Sequence, residues 1–166
     1  MFLLKALAAQ DLLQAVDYAT EKRSYSCGTN IYRWDAATGI LDFVTRSADS
    51  SNAWTQRIKI PDVGLLIDFD DDTDLAAYSG GEGQWNSFVA EYPDIKLADI
   101  KVGCSCPAFQ YWGSAYQVDN LDSGEQTMPR YDGAGYPENR FPSVRDPGLE
   151  KTICKHLAAV LRKFFV

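Results

Sequence analysis

Apolar and polar positions change rhythm several times along this chain of 166 residues. Between residues 25 and 60 the alternation is two-fold, as in β-structure. Ile31-Tyr32-Arg33-Trp34 and Ile40-Leu41-Asp42-Phe43-Val44 flank Asp35-Ala36-Ala37-Thr38-Gly39, a short glycine-ended loop of the kind that joins hairpin strands. Gln56-Arg57-Ile58-Lys59-Ile60 alternates too and stops at Pro61. Val63 to Phe69 is a further short apolar run, and Leu97 to Cys104 alternates as another strand. Elsewhere the spacing is helical. Trp85 to Tyr92 predicts a short helix that Pro93 ends. Ile153 to Phe165 predicts another, with Leu157, Val160, Leu161 and Phe164 at i, i+3, i+4 and i+7. Residues 1–20, rich in Ala, Leu and Gln and free of Pro and Gly, also read as helix. Their apolar positions fall on two opposed stripes: Leu3, Leu4 and Leu7 on one side, Leu12, Leu13 and Val16 on the other. That suits a helix caught between two layers, or one whose first turns dock on another subunit.

Residues 107–150 keep no rhythm at all. They hold five of the seven prolines, five glycines and the aromatics Phe109, Tyr111, Trp112, Tyr116, Tyr131, Tyr136 and Phe141. Pro and Gly at this density forbid long regular elements, while the aromatics are poor company for a freely solvated tail. The expectation is an ordered but irregular excursion. The fold class is therefore α+β: an N-terminal helix, a small antiparallel β body, and a C-terminal module in which a long irregular insert joins a strand to the last helix. An acidic body over residues 1–100 and a module over 101–166 form the two parts, with no linker between them and no internal repeat.

Composition sharpens this division. Apolar residues make up 46% and charged residues 23%, enough for a buried core. No apolar run is long enough to span a bilayer, and Lys5 interrupts the opening MFLLKALAAQ too early for a secretory signal. The expectation is a soluble chain. The net charge of −7 argues against a generic nucleic-acid coat. It is unevenly spread: residues 1–100 carry 8 basic and 16 acidic side chains, residues 101–166 carry 8 and 7. Lys151, Lys155, Arg162 and Lys163 follow one another with no acidic residue between them. The acidic run Asp68-Phe69-Asp70-Asp71-Asp72-Thr73-Asp74 fails as a calcium loop, because Thr73 stands where a glycine is needed and Ser79 where a glutamate is. It reads as a solvated acidic turn.

The chemistry concentrates in four cysteines and one histidine. Cys104-Ser105-Cys106 and Cys154-Lys155-His156 form two tight pairs, and Cys27 stands apart. A Cys-x-Cys disulfide would close a small strained ring, so shared metal ligation is the easier role for the first pair. In a regular helix residues i and i+2 point about 200° apart, so Cys154 and His156 reach one ion only if Cys154 precedes the helix. Three thiolates and one imidazole complete a tetrahedral set that suits a single structural Zn²⁺. Its net charge of about −1 would be balanced by Lys151 and Lys155. Iron–sulfur clusters usually take four cysteines, so they fit less well. The competing reading is ordinary buried thiols with an incidental histidine. With the metal in place, the 47 residues between the pairs become a closed loop. The hairpins of the body, with apolar faces of their own, should then depend on the metal less than residues 104–156 do.

Cys104-Ser105-Cys106-Pro107-Ala108-Phe109, followed by Cys154-Lys155-His156-Leu157-Ala158-Ala159-Val160-Leu161, resembles the SWIM-type zinc finger, whose pattern is CxC…CxH on a β-β-α core. Within that family it is most similar to the long-insert version of tailed-bacteriophage structural proteins, which combine CSCPxF, an aromatic continuation, a Pro-rich insert and CKHL. The resemblance implies a bacteriophage origin and a virion role without identifying the part of the particle. The expectation is a component of the head–tail connection, tail or baseplate, assembled in the host cytoplasm, in contact with other virion proteins or copies of itself. A SWIM-type nucleic-acid-binding or regulatory protein is the alternative, resting on the basic segment beside the second pair. An enzyme is disfavoured: the one histidine is committed to the metal, and no Gly-rich phosphate loop, GxSxG or HExxH is present.

Overall fold

A computed structural model describes residues 2–3, 7–14, 16–48, 51–61, 63–66, 75–106, 109, 118–119 and 153–166. The alternating segments become an antiparallel sheet. Strands β3 (Cys27–Asp35), β4 (Ile40–Ser47), β5 (Ala53–Lys59) and β6 (Asp99–Cys104) lie side by side in the order β6-β5-β4-β3, and β2 (Leu7–Ala8) adds a short fifth strand beside β6. The β3–β4 turn depends on Gly39. Its φ of 70° favours glycine, and a Cβ there would collide with the carbonyl oxygen of Ile60. Two further strands, β1 (Phe2–Leu3) and β7 (Val118–Asp119), pair with each other.

Cross-strand register sorts the side chains into rows. One inward row runs Trp34, Leu41, Ile58, Val102, and the next runs Ile31, Phe43, Gln56, Cys104. Between them, on the opposite face, Asp42 stands opposite Arg57 and accepts both ends of its guanidinium at 2.6 and 2.7 Å.

The C-terminal helix, here α5 (Lys155–Phe164), packs across β3, β4, β5 and β6. Leu157, Val160, Leu161 and Phe164 are all buried, as the helical spacing predicts, and the Phe164 ring lies 5.3 Å from that of Phe43. Helix α4 (Glu82–Glu91) ends just before Pro93 and packs on β3. A 3-10 turn (Pro93–Leu97) leads from it into β6. The strand predicted from Leu97 therefore begins at Asp99, and β6 spans residue 100, where the acidic body and the module were divided.

The N-terminal helix needs correction. Residues 1–20 do not form one helix: β1 and β2 come first, then α1 (Ala9–Gln14) and α2 (Tyr18–Ser24). The opposed stripes do not share one helix: Leu3 lies in β1 and Leu7 in β2, whereas Leu12 and Leu13 lie in α1. Asp17 restarts the helix by accepting the Thr20 N–H at 2.8 Å, an N-cap inside the expected span. Val63–Leu66 is a helical turn, α3, within the apolar run. The acidic run 68–74 and, apart from Phe109 and residues 118–119, the insert 107–150 lie outside the described residues. Among the described residues, no helix is long and apolar enough to cross a membrane.

Candidate metal centre

Strand β6 delivers the first pair. Cys104 is its last residue and points inward at the end of the row Ile31, Phe43, Gln56. The chain then turns while Ser105 stays fastened to β5: its N–H donates to the Thr55 carbonyl at 2.9 Å, and its hydroxyl accepts from the Thr55 N–H at 3.0 Å. This turn brings the Cys106 sulfur round to that of Cys104. Backbone N–H groups face both sulfurs, Cys106 N to Cys104 Sγ at 3.5 Å and Phe109 N to Cys106 Sγ at 3.4 Å.

Helix α5 delivers the second pair in the way the i, i+2 argument requires. Cys154 is the N-cap, in extended backbone at φ −87° and ψ 171°, and His156 lies in the first turn. The Ala158 N–H donates to the Cys154 carbonyl at 3.0 Å and closes that turn. The positive end of the helix dipole thus faces the cluster, where negative charge is favoured.

All four predicted ligands come together. One donor atom from each of Cys104, Cys106, Cys154 and His156 lies within 4.8 Å of the others, and all four residues are buried. Sulfurs around a tetrahedral Zn²⁺ with bonds of ~2.3 Å stand about 3.8 Å apart, so a closure of roughly 1 Å would seat the ion. Cys27 is not in the group; it is half-buried at the start of β3.

The electrostatics fit a cation. Burial pushes the Cys104 thiol well above its ordinary value, and its neighbours Cys106 and Cys154 push it further. Burial also raises Cys154, with Cys104 and His156 pulling partly the other way. Burial and neighbouring sulfurs disfavour the charged form, so without a counter-charge Cys104 and Cys154 hold their protons. A divalent ion reverses that preference by coordinating the thiolates. His156 gives an independent sign. Both of its ring nitrogens are buried without a hydrogen-bond partner, an expensive arrangement for an imidazole unless one nitrogen binds a metal.

Reasoning from the sequence missed Gln56, whose side-chain amide donates to Cys104 Sγ at 3.4 Å. The signal was present: Gln56 is in phase with Ile58 and Ile60, and so on the inward face.

No curated protein and no solved structure matches the chain. The SWIM zinc finger family model matches residues 94–120 and 148–164. Those two stretches contain β6 with the Cys-x-Cys pair and the whole of α5 with the Cys-x-His pair. Family match and clustered donors together support a SWIM-type zinc finger in this part of the chain, with four Cys/His residues placed to hold one zinc ion.

Proposed function

We propose that the protein is a non-enzymatic, zinc-stabilised building block of a bacteriophage virion, at the head–tail connection, tail or baseplate. Its partners are other virion proteins or copies of itself. The observation that carries the structural role of the metal is the depth of the cluster. Cys104, Cys106, Cys154 and His156 are at most 4% exposed. Four protein donors fill a tetrahedral shell and leave no position for a reactive water, the arrangement of structural rather than catalytic zinc. The similarity of CSCPAF and CKHL to tailed-phage structural proteins supports the virion assignment.

The basic residues of α5 weigh against nucleic acid as the main partner. Arg162 donates to Ser24 Oγ at 2.6 Å and lies over the Tyr25 ring, and Lys163 donates to the Thr29 carbonyl at 2.7 Å. Arg162 and Lys163 are thus engaged within the fold. Even phosphate contacts from all four clustered cations would give a salt slope of only about −3.6 on duplex DNA.

The test compares purified particles with DNA. Antibody detection of the protein at stoichiometric level in gradient-purified virions, with no binding to duplex or single-stranded DNA at physiological salt, is the expected result. Submicromolar DNA binding lost on Lys155→Ala, with the protein missing from particles, would overturn the reading in favour of a regulator.

A further inference from the structure

We infer that Gln56 is a positioning residue for the metal centre: held by Thr45 and Thr29, it aims one amide N–H at the Cys104 thiolate. This rests on the zinc-site reading and is independent of the virion role.

Gln56 is fully buried in a row otherwise made of Ile31, Phe43 and Cys104. Burying an amide is unfavourable unless its polar atoms are paired, and these are. Nε2 donates to the Trp54 carbonyl at 3.0 Å and to Cys104 Sγ at 3.4 Å, which uses both of its N–H groups. A carbonyl oxygen only accepts, so Trp54 fixes which end of the amide is nitrogen. Oε1 then faces the buried Thr45 hydroxyl at 2.5 Å, which donates its one proton to it. The Thr45 oxygen in turn accepts from the Thr29 hydroxyl at 2.9 Å. Every proton in this chain has a determined direction, and the chain runs over three strands to the sulfur.

The physical effect follows from the charge on that sulfur. An N–H facing a thiolate stabilises the charged, metal-binding form and draws off part of the negative charge that three thiolates bring to one ion. It also holds the Cys104 side chain in one orientation. A Leu or Met at position 56 could fill the row without desolvating an amide. What the amide adds is the N–H.

The experiment uses the full chain loaded with Co²⁺ as a spectroscopic stand-in, and Zn²⁺ competition against a chromophoric chelator. Gln56→Met should weaken Zn²⁺ binding ten- to hundred-fold, the range for loss of a group that supports a metal ligand. It should also move the thiolate-to-cobalt charge-transfer band to lower energy, because an unbonded sulfur gives up its electrons more easily. Thr45→Val, which leaves the amide in place but unpolarised, should move the band the same way by less. A merely structural role would lower the unfolding temperature and leave the band where it is. Wild-type affinity and an unmoved band in both variants would overturn the proposal; should Gln56→Met fail to fold, an unmoved band in Thr45→Val would do so alone. A wild-type chain that takes up neither metal would overturn the zinc-site reading and the proposal with it, whereas metal uptake abolished by Cys154→Ser leaves that reading standing whatever position 56 does.

Discussion

The two ends of the core are built on opposite principles. Around the first turn of α5 the interior holds three thiols, an imidazole, the Gln56 amide and, further along the chain of hydrogen bonds, the hydroxyls of Thr45 and Thr29. Around its last turn the interior is aromatic. Trp34 lies 4.9 Å from Trp85 and 5.1 Å from Phe88, Phe88 lies 5.1 Å from Tyr92, and Trp85 lies 5.6 Å from Phe165. The aromatic end gains its stability from the area it removes from water. Small polar groups supply little such area, so the other end must gain its stability from bonds to an ion. One helix crosses both ends, and each is therefore exposed to failure of the other.

Breaking the metal end should have the largest effect. Structural zinc contributes on the order of 10–16 kcal/mol in small peptides, as much as the whole stability of a typical domain at about 5–15 kcal/mol. Chelation or Cys154→Ser should consequently unfold the sheet with α5 in one transition. The sequence suggests that the hairpins could outlast the metal; the packing argues otherwise, because the buried face of α5 covers β3 to β6. Hydrogen exchange checks this: amides of β3 to β5 should lose protection together with residues 153–164. Retained protection in β3 to β5 alone would show that the aromatic end is self-sufficient. Metal uptake should also weaken as pH falls. Burial raises the Cys104 and Cys154 thiols, so the ion must displace their protons in order to bind. Zn²⁺ competition measured at several pH values should show apparent affinity climbing with pH through the thiol range.

Breaking the aromatic end comes next. Trp85→Ala removes a fully buried ring and should cost about 3–5 kcal/mol, measured by denaturant unfolding of the zinc-loaded protein. Zinc stoichiometry should stay at one. Loss of metal in this variant would mean that the two ends cannot be separated even at the level of the folded state.

The same contrast decided what could be read from the sequence. The strands were legible because alternation survives in a sheet with one buried face, and the turn was legible because Gly39 must take a positive φ. The clustering of Cys104, Cys106, Cys154 and His156 was legible because two Cys/His pairs at i, i+2 spacing fit few arrangements, and Cys154 had to precede α5. Residues 1–20 misled because helix propensity carries no knowledge of pairing. Phe2–Leu3 and Leu7–Ala8 are strands because Val118–Asp119 and Asp99–Ile100 pair with them, far along the chain. Gln56 went unrecognised for a related reason: its phase puts it inside, but nothing in one sequence shows that Cys104 stands opposite.

A third change strikes the sheet between the two ends, on its reverse face. Asp42 and Arg57 keep only 12% and 11% of their side chains exposed, and their two hydrogen bonds are charge-assisted. Asp42→Ala leaves the guanidinium largely desolvated and unpaired, with an expected loss of about 1–3 kcal/mol. Thermal unfolding should shift while Zn²⁺ affinity and near-ultraviolet dichroism of the tryptophans stay unchanged. A change confined to metal affinity would place this pair functionally with the metal end.

The smallest effect belongs to Asp17, which caps α2. Its carboxylate accepts from the Thr20 N–H at 2.8 Å and from the Thr20 hydroxyl at 3.1 Å, and so satisfies one of the free donors at the helix start. Asp17→Ala should cost about 1 kcal/mol, the usual loss at an N-cap. The comparison gains from it because α2 packs along α5, with Arg162 reaching Ser24 across that contact. If the two ends communicate only through the position of α5, this small loosening should lower global stability and leave metal affinity within two-fold of wild type. Asp17→Asn, which keeps an acceptor but removes the charge that favours a helix N-terminus, should lose a few tenths of a kcal/mol at most. Denaturant midpoints of the two variants, measured with zinc bound, settle the order; an Asp17→Ala chain that binds zinc ten-fold more weakly would show that α2, and not the sheet, sets where His156 stands.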